Sequence, residues 1–237
     1  MRLLLDFLCR FGWGLAAGLV ITSPAAVTAG FFRVNSLVVM GLATFAALVA
    51  PAAGGDWPLP AAAAAAAWMA SVAWFGEKRR AGLVLGAAAA LLLAAATVAV
   101  ARASVGAAPV AILAPAALGR LLSGLVVGLA VHAMLLGHWY LNAPGMSVAA
   151  LRRAIGQTLG AWGACLAATV VGAAPRLPEL LRGADSTTLA LLALRWLAGL
   201  AGLPVLLVMA RKTLDIPNTQ SATGILYVAC LAAILGE

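Results

Sequence analysis

The chain has 237 residues, of which 65% are hydrophobic and only 9% are charged. An ordinary soluble domain is about 25% charged, so this composition excludes a soluble globular protein. The net charge of +8 comes from Lys and Arg residues spread over short connections, without the basic stripe and interleaved aromatic residues of a nucleic-acid surface. We therefore predict no nucleic-acid partner and assign the basic residues to topology and to contacts with anionic lipid headgroups.

Apolar stretches of about 20 residues, the length that a helix needs to cross a bilayer, follow one another along nearly the whole chain. Backbone groups in lipid must be paired, and the lack of period-two alternation favours helices over a barrel. The sequence predicts an all-α, polytopic integral membrane helical bundle of about eight transmembrane helices, forming a single domain over 1–237. The predicted helices lie near 11–31, 34–51, 59–76, 81–102, 117–141, 153–174, 187–210 and 220–236.

After the basic Arg2, the start of the chain is apolar, but two charged residues, Asp6 and Arg10, lie within it. Because these charges interrupt the early segment, we expect residues 11–30 to form a retained first helix rather than a cleaved signal peptide. Pro24 lies inside that predicted helix. The hydroxyl residues just before it can satisfy the backbone carbonyls that a proline leaves free.

Prolines and glycines also shape the later helices. Pro109 and Pro115 predict that 107–118 is either a short re-entrant or interfacial helix or an extended loop before the fifth helix. Pro204 should kink the seventh helix. Glycines four residues apart permit close approach between transmembrane helices. Such pairs are Gly14/Gly18, Gly124/Gly128 and Gly156/Gly160.

Lys and Arg residues in the connections indicate orientation, because cytoplasmic connections carry an excess of them. Helix counting places eight on one side and six on the other, which favours the first side as cytoplasmic, with both termini outside. The first helix favours the reverse, since Arg2 and Arg10 outweigh Arg33. The first side receives Arg33, Lys78, Arg79, Arg80, Arg152, Arg153, Arg211 and Lys212, and the second receives Arg2, Arg10, Arg102, Arg120, Arg176 and Arg182.

Both histidines of the chain lie in 131–142, at the end of the fifth predicted helix. His132 and His138 are separated by about 9 Å of rise and 240° of rotation, so they cannot bind one metal ion together. His132 alone is a candidate metal ligand, to a haem b with Met134 or Met209, or to a (bacterio)chlorophyll. The alternative is a hydrogen bond from His132 to the backbone of a neighbouring helix.

A cluster of His138, Trp139 and Tyr140 lies where the fifth helix meets the headgroups. One interpretation is an aromatic belt at the membrane interface. The other is a quinone site, because a quinone carbonyl needs donors such as His or Tyr, its ring needs flat apolar contacts, and its tail needs access to lipid. Arg152 is expected near the quinone headgroup, since it follows on the same side.

The loop Thr213–Thr223 is rich in polar residues for so hydrophobic a chain. We expect it to contact a ligand or a membrane or peripheral partner subunit. The strings LGHWYL at 136–141 and QSATGILYV at 220–228 are motif-like rather than random apolar filler. Helix counting places on one face His138, Tyr140, Arg152, Arg153, Arg211, Lys212, Asp215, Asn218, Thr219 and Gln220.

Arg195 is the only Arg or Lys well inside a predicted helix, and no carboxylate lies deep in any of them. It lies about 12 Å below the start of the seventh helix. Helix counting allows an ion pair with Glu237 and the terminal carboxylate. The alternative is a contact with an anionic group of a lipid, a haem propionate or a partner chain.

The chain lacks the motifs of several enzyme classes, including the phosphate-binding loop, the zinc motif of metalloproteases and the nucleophile elbow. We therefore expect no self-contained enzyme. The favoured hypothesis is a subunit of a respiratory or photosynthetic electron-transfer complex in the bacterial inner membrane, which anchors redox partners and contributes to a quinone or haem site. The alternatives are a small-solute transporter or channel, and a structural or assembly subunit without a cofactor.

Overall fold

The computed structural model describes residues 1–143, 145–173, 185–216 and 218–236. Within them it contains eight helices and no strand, which confirms the all-α prediction. Seven of the helices are long and apolar enough to cross a membrane, so the chain is an integral membrane protein. The helices are α1 Arg2–Ile21, α2 Ala29–Val49, α3 Pro58–Phe75, α4 Arg79–Val105, α5 Val110–Asn142, α6 Ala149–Ala173, α7 Ser186–Thr213 and the shorter α8 Thr219–Leu235.

The first helix differs from the predicted 11–31. It begins at Arg2, because Asp6 and Arg10 pair with each other inside the helix instead of interrupting it. It ends at Ile21. Pro24 disfavours helical backbone just before it, and the chain becomes extended at Thr22. The Thr22 hydroxyl donates to the Gly18 carbonyl at 2.8 Å, so the expected satisfaction of freed carbonyls occurs at a helix end.

The predictions for 107–118 are wrong, because neither a separate re-entrant helix nor a loop is present. α5 is a single helix of 33 residues that runs through Pro115. This proline lies in the second turn, so it removes only one backbone hydrogen bond near the helix start. Pro109 precedes the helix and begins its first turn.

α7 is regular at both ends and widened in the middle. Trp196–Gly202 is π-helical, and the N–H of Leu203 donates to the carbonyl of Ala198, five residues back. The disturbance expected at Pro204 therefore takes the form of a wide turn immediately before the proline. At the start of α7 the exposed Asp185 accepts hydrogen bonds from Thr188, which lower the pKa of its carboxyl group.

α1 and α5 are the central helices: α1 packs on α2, α4 and α5, and α5 packs on α1, α4, α6 and α8. Glycines allow the two backbones to meet. A Cβ atom on Gly14 would lie 2.7 Å from the carbonyl carbon of Gly124, and one on Gly128 would overlap the backbone of Gly14. The close approach predicted for these pairs is confirmed. At Gly160, by contrast, nothing lies within 4 Å of the Cβ position.

The helices alternate in direction and so define two sides. The N-terminal side carries the starts of α1, α3, α5 and α7, and the far side carries the other ends of these helices. Contacts between connections agree with this assignment. Arg2 donates to the Ala53 carbonyl on the N-terminal side, and Arg152 donates to the Leu214 carbonyl on the far side.

Candidate functional site

The two motif-like strings pack against each other on the far side. Gly137 of α5 allows α8 to come close, because a Cβ atom there would lie 2.7 Å from the Thr223 hydroxyl oxygen. Nearby, the Tyr227 hydroxyl and Nδ1 of His138 are 3.3 Å apart and form a hydrogen bond. Residues that are distant in the sequence therefore form one site at the end of α5.

The His138–Tyr227 pair lies on the outside of the bundle. His138 is exposed, and Tyr227 retains 46% of its accessible surface. When the Tyr227 hydroxyl donates to Nδ1, the imidazole proton resides on Nε2. That N–H then points away from the tyrosine, and no described residue accepts a hydrogen bond from it. The pair can thus present one donor to a molecule that approaches from outside.

Trp139 and Tyr140 point inward, unlike His138, because successive helical residues are rotated by about 100°. The Trp139 indole N–H donates to the Thr28 hydroxyl at 2.9 Å. Tyr140 is buried, and its hydroxyl donates to the Ser147 carbonyl. These two residues tie the end of α5 to the connections beside it. The structure therefore separates the predicted cluster into one outward residue and two inward residues.

Arg152 lies on the far side, as helix counting predicts. Its Nη1 is 2.8 Å from the Asp215 carboxylate, and its Nη2 donates to the Leu214 carbonyl at 3.0 Å. The side chain joins the start of α6 to the segment that follows α7. Nη1 and Nη2 of Arg152 are therefore both engaged by partners within the chain.

His132 is fully buried between α5 and α1. The Thr22 hydroxyl gives its single proton to the Gly18 carbonyl, so at 2.8 Å it accepts from Nε2–H of His132. Nδ1 then carries the lone pair, and it has no hydrogen-bond partner among the described residues. The Phe31 ring packs edge-on with centroids 5.6 Å apart.

A metal ion bound to His132 would have to disturb the contacts of this side chain. Ligation through Nε2 would break the bond to Thr22, and the ring is enclosed by Gly18 and Phe31. Among the described residues, no three His, Cys, Asp or Glu side chains are grouped so that they could hold a metal ion. The observed hydrogen bond of His132 goes to the side chain of Thr22 at the end of α1, and not to the backbone of a neighbouring helix.

Arg195 does not join the other predicted site residues. It lies on the N-terminal side, where its Nε donates to the Gly236 carbonyl at 3.0 Å. Its predicted ion-pair partner, Glu237, lies outside the described residues. A Cβ atom on Gly199 would lie 2.7 Å from the Cα of Gly236, so α7 and the end of α8 approach closely beside this arginine.

A charge network on the N-terminal side corrects the prediction that Arg195 is the only Arg or Lys well inside a helix, and it includes Asp6, a carboxylate one turn inside α1. Asp6 bridges Arg10 at 3.0 Å and Arg120 at 3.1 Å, and all three side chains lie inside α1 or α5. Arg120 also donates to Ser104 at 2.8 Å, and Arg10 donates to Ser123 at 2.6 Å. The i,i+4 spacing of Asp6 and Arg10 could have revealed that α1 starts this early.

A cavity of about 190 Å³ adjoins this network. It lies between α1, α4 and the turn before α3, and it opens on the N-terminal side. Such a volume holds several water molecules, since one water occupies about 30 Å³ in the liquid. Its polar lining comes from Arg2, Asp6, Asp56, Ser104 and Arg120.

Comparison with protein families, with curated proteins and with solved structures finds no match to this chain.

Proposed function

We propose that the chain is a membrane subunit of an electron-transfer complex and that the far-side ends of α5 and α8 bind the headgroup of a quinone. The observation that supports this is the outward His138–Tyr227 pair, which has a donor directed away from the chain. A carbonyl oxygen of a quinone is an acceptor that fits this donor. Trp139 and Tyr140 support the site by fixing the end of α5.

The surroundings of the pair suit a lipid-soluble ligand. Leu141, Val228 and Leu231 are apolar and between 48% and 61% exposed. Such surface can contact a quinone ring and an isoprenoid tail that arrive through the bilayer. His138 is four residues from the end of α5, which is about 6 Å along the helix axis and places it near the headgroup region.

Electrons exchanged with the bound quinone would pass to or from a redox group in a partner subunit. α7 has surface for such a partner, because its apolar residues Leu191, Leu197 and Val205 are between 57% and 69% exposed. The exposed faces of α6 and α7 are available to neighbouring helices as well as to lipid. Thr213–Thr223 remains our proposed contact for a peripheral subunit, since its described residues lie on the same side as His138.

Equilibrium binding of decylubiquinone and menadione to the purified protein tests this function. His138→Phe should weaken quinone binding about tenfold, because it removes one hydrogen bond to the ligand. Tyr227→Phe should have a smaller effect, since it removes the partner that orients the imidazole. Trp68→Phe is the control, because Trp68 is an exposed aromatic residue of α3 away from the site. Unchanged binding in His138→Phe would contradict the proposal.

The second candidate function is transport of a small polar solute, which the N-terminal cavity favours. A charged, water-soluble thiol reagent can test whether the cavity is hydrated. In a variant without the native cysteines, Ala99→Cys should react, because Ala99 lines the cavity. Leu91→Cys on the same helix should not react, because Leu91 is an exposed apolar position that contacts lipid. Equal labelling at both positions would argue against an entry for solute.

A further inference from the structure

A shallow groove lies between the start of α6 and the end of α7 on the far side. Its floor is formed by small residues, Ala149 and Gly156, and its walls carry long polar side chains. The wall residues are Arg152, Arg153, Gln157 and Arg211.

The groove depends on Gly156, because a glycine has no side chain that would displace the Arg211 guanidinium. The only atom within 4 Å of its Cβ position is Nη1 of Arg211, at 3.2 Å, so the guanidinium of α7 lies directly over the glycine of α6. Arg153 and Gln157 are four residues apart and therefore lie on one face of α6. Guanidinium and amide donors thus line the groove together.

The groove has more positive charge than the chain neutralises. Arg152 pairs with Asp215, whereas Arg153 and Arg211 form no ion pair among the described residues. The only other carboxylate that helix counting places on the far side is Glu77, in the connection between α3 and α4. Two arginines and the neighbouring Lys212 therefore remain for an anion from outside.

We propose that this groove binds the phosphate of an anionic phospholipid. Arginine suits a phosphate because its planar donors can bind two oxygens at once. Basic grooves between transmembrane helices at the membrane surface suit anionic lipid headgroups.

The position of the groove selects a lipid rather than a soluble phosphate. Arg152 is in the first turn of α6 and Arg211 is in the last turn of α7, so the groove lies at the membrane surface. Val208 lies one turn deeper on the same face as Arg211 and is 43% exposed. It can contact the acyl chains while the arginines hold the phosphate.

The test is native mass spectrometry of the purified chain, titrated with phosphatidylglycerol and with phosphatidylcholine that has the same acyl chains. The wild type should prefer phosphatidylglycerol. Replacing both Arg153→Gln and Arg211→Gln should lower its affinity about 30-fold, from about fivefold for each basic residue, with phosphatidylcholine unchanged. The charge control is Arg79→Gln with Arg80→Gln, which removes equal charge from the same side.

A second pair of variants leaves every charge in place. Gly156→Leu fills the floor of the groove and should also lower phosphatidylglycerol affinity. Gly160→Leu, one turn deeper on α6, should not, because its Cβ position is open.

Three results would overturn the proposal. The first is an equal loss of affinity in the Arg79 and Arg80 control, which would indicate diffuse charge rather than a site. The second is unchanged affinity in Gly156→Leu. The third is displacement of phosphatidylglycerol by an equal concentration of glycerol 3-phosphate, which would identify a soluble phosphate as the ligand. None of these variants touches His138, so the outcome is independent of the quinone proposal.

Discussion

On the N-terminal side, Asp6, Arg10 and Arg120 hold one another between helices, and their side chains are between 14% and 27% exposed. On the far side, Arg152 and Asp215 pair at the surface, where the side chains are 40% and 61% exposed. The first arrangement satisfies charges that the membrane would otherwise penalise. The second lies beside Arg153 and Arg211, which form no ion pair among the described residues. The same residue types are therefore enclosed between helices at one end of the bundle and exposed at its surface at the other.

Asp6→Asn should have the largest effect on stability, because it leaves two arginines without their shared carboxylate. We expect a loss of about 3 kcal/mol, at the low end for a broken buried pair since these side chains are partly exposed. The measurement is the unfolding free energy in mixed detergent micelles. Asp56→Asn is the control, because Asp56 is exposed on the same side. Equal stability of the two variants would refute the difference between interior and surface charge.

Gly128→Ala tests the close contact between α1 and α5, the two central helices, which run between the N-terminal side and the far side. The added methyl group would overlap the backbone of Gly14, which can move only if the helices separate. We expect a destabilisation of about 2 kcal/mol, measured in the same unfolding assay. Gly119→Ala, in the same helix with nothing within 4 Å of its Cβ position, should be neutral or slightly stabilising. A neutral Gly128→Ala would show that this contact is not tight.

Thr22→Val removes the acceptor of the buried His132 proton. The expected loss is about 1.5 kcal/mol, because a buried donor remains without a partner. Adding His132→Leu should restore part of the stability, since both polar groups are then gone. If the double variant is less stable than Thr22→Val alone, His132 has another role that the hydrogen bond does not explain.

Asp215→Asn should have the smallest effect on stability, within about 0.5 kcal/mol, because exposed ion pairs are screened by water and salt. It should strengthen phosphatidylglycerol binding, because Arg152 is then released to the groove. The unfolding assay and the lipid titration check these two outcomes. A loss as large as that of Asp6→Asn would place Asp215 in a structural network like that of the N-terminal side.

The sequence alone determined the all-α membrane bundle, because runs of about 20 apolar residues in lipid have few other solutions. It also placed the far-side residues together, since helix counting needs only the number of spans. It predicted that Gly14 and Gly128 permit close approach, though not that they meet each other. Each of these features depends only on the local composition of the chain and on the alternating direction of successive helices.

Only the tertiary structure decided which partners the polar residues have. Asp6 looked like an interruption until Arg120, more than 100 residues away, came within hydrogen-bond distance. His132 could be a ligand or a bonded side chain, and its contact with Thr22 followed from the crossing of α1 and α5. The same holds for the separation of His138 from Trp139. The physical reason is that a helix rotates its side chains by about 100° per residue, so burial and bonding depend on which neighbour packs on each face.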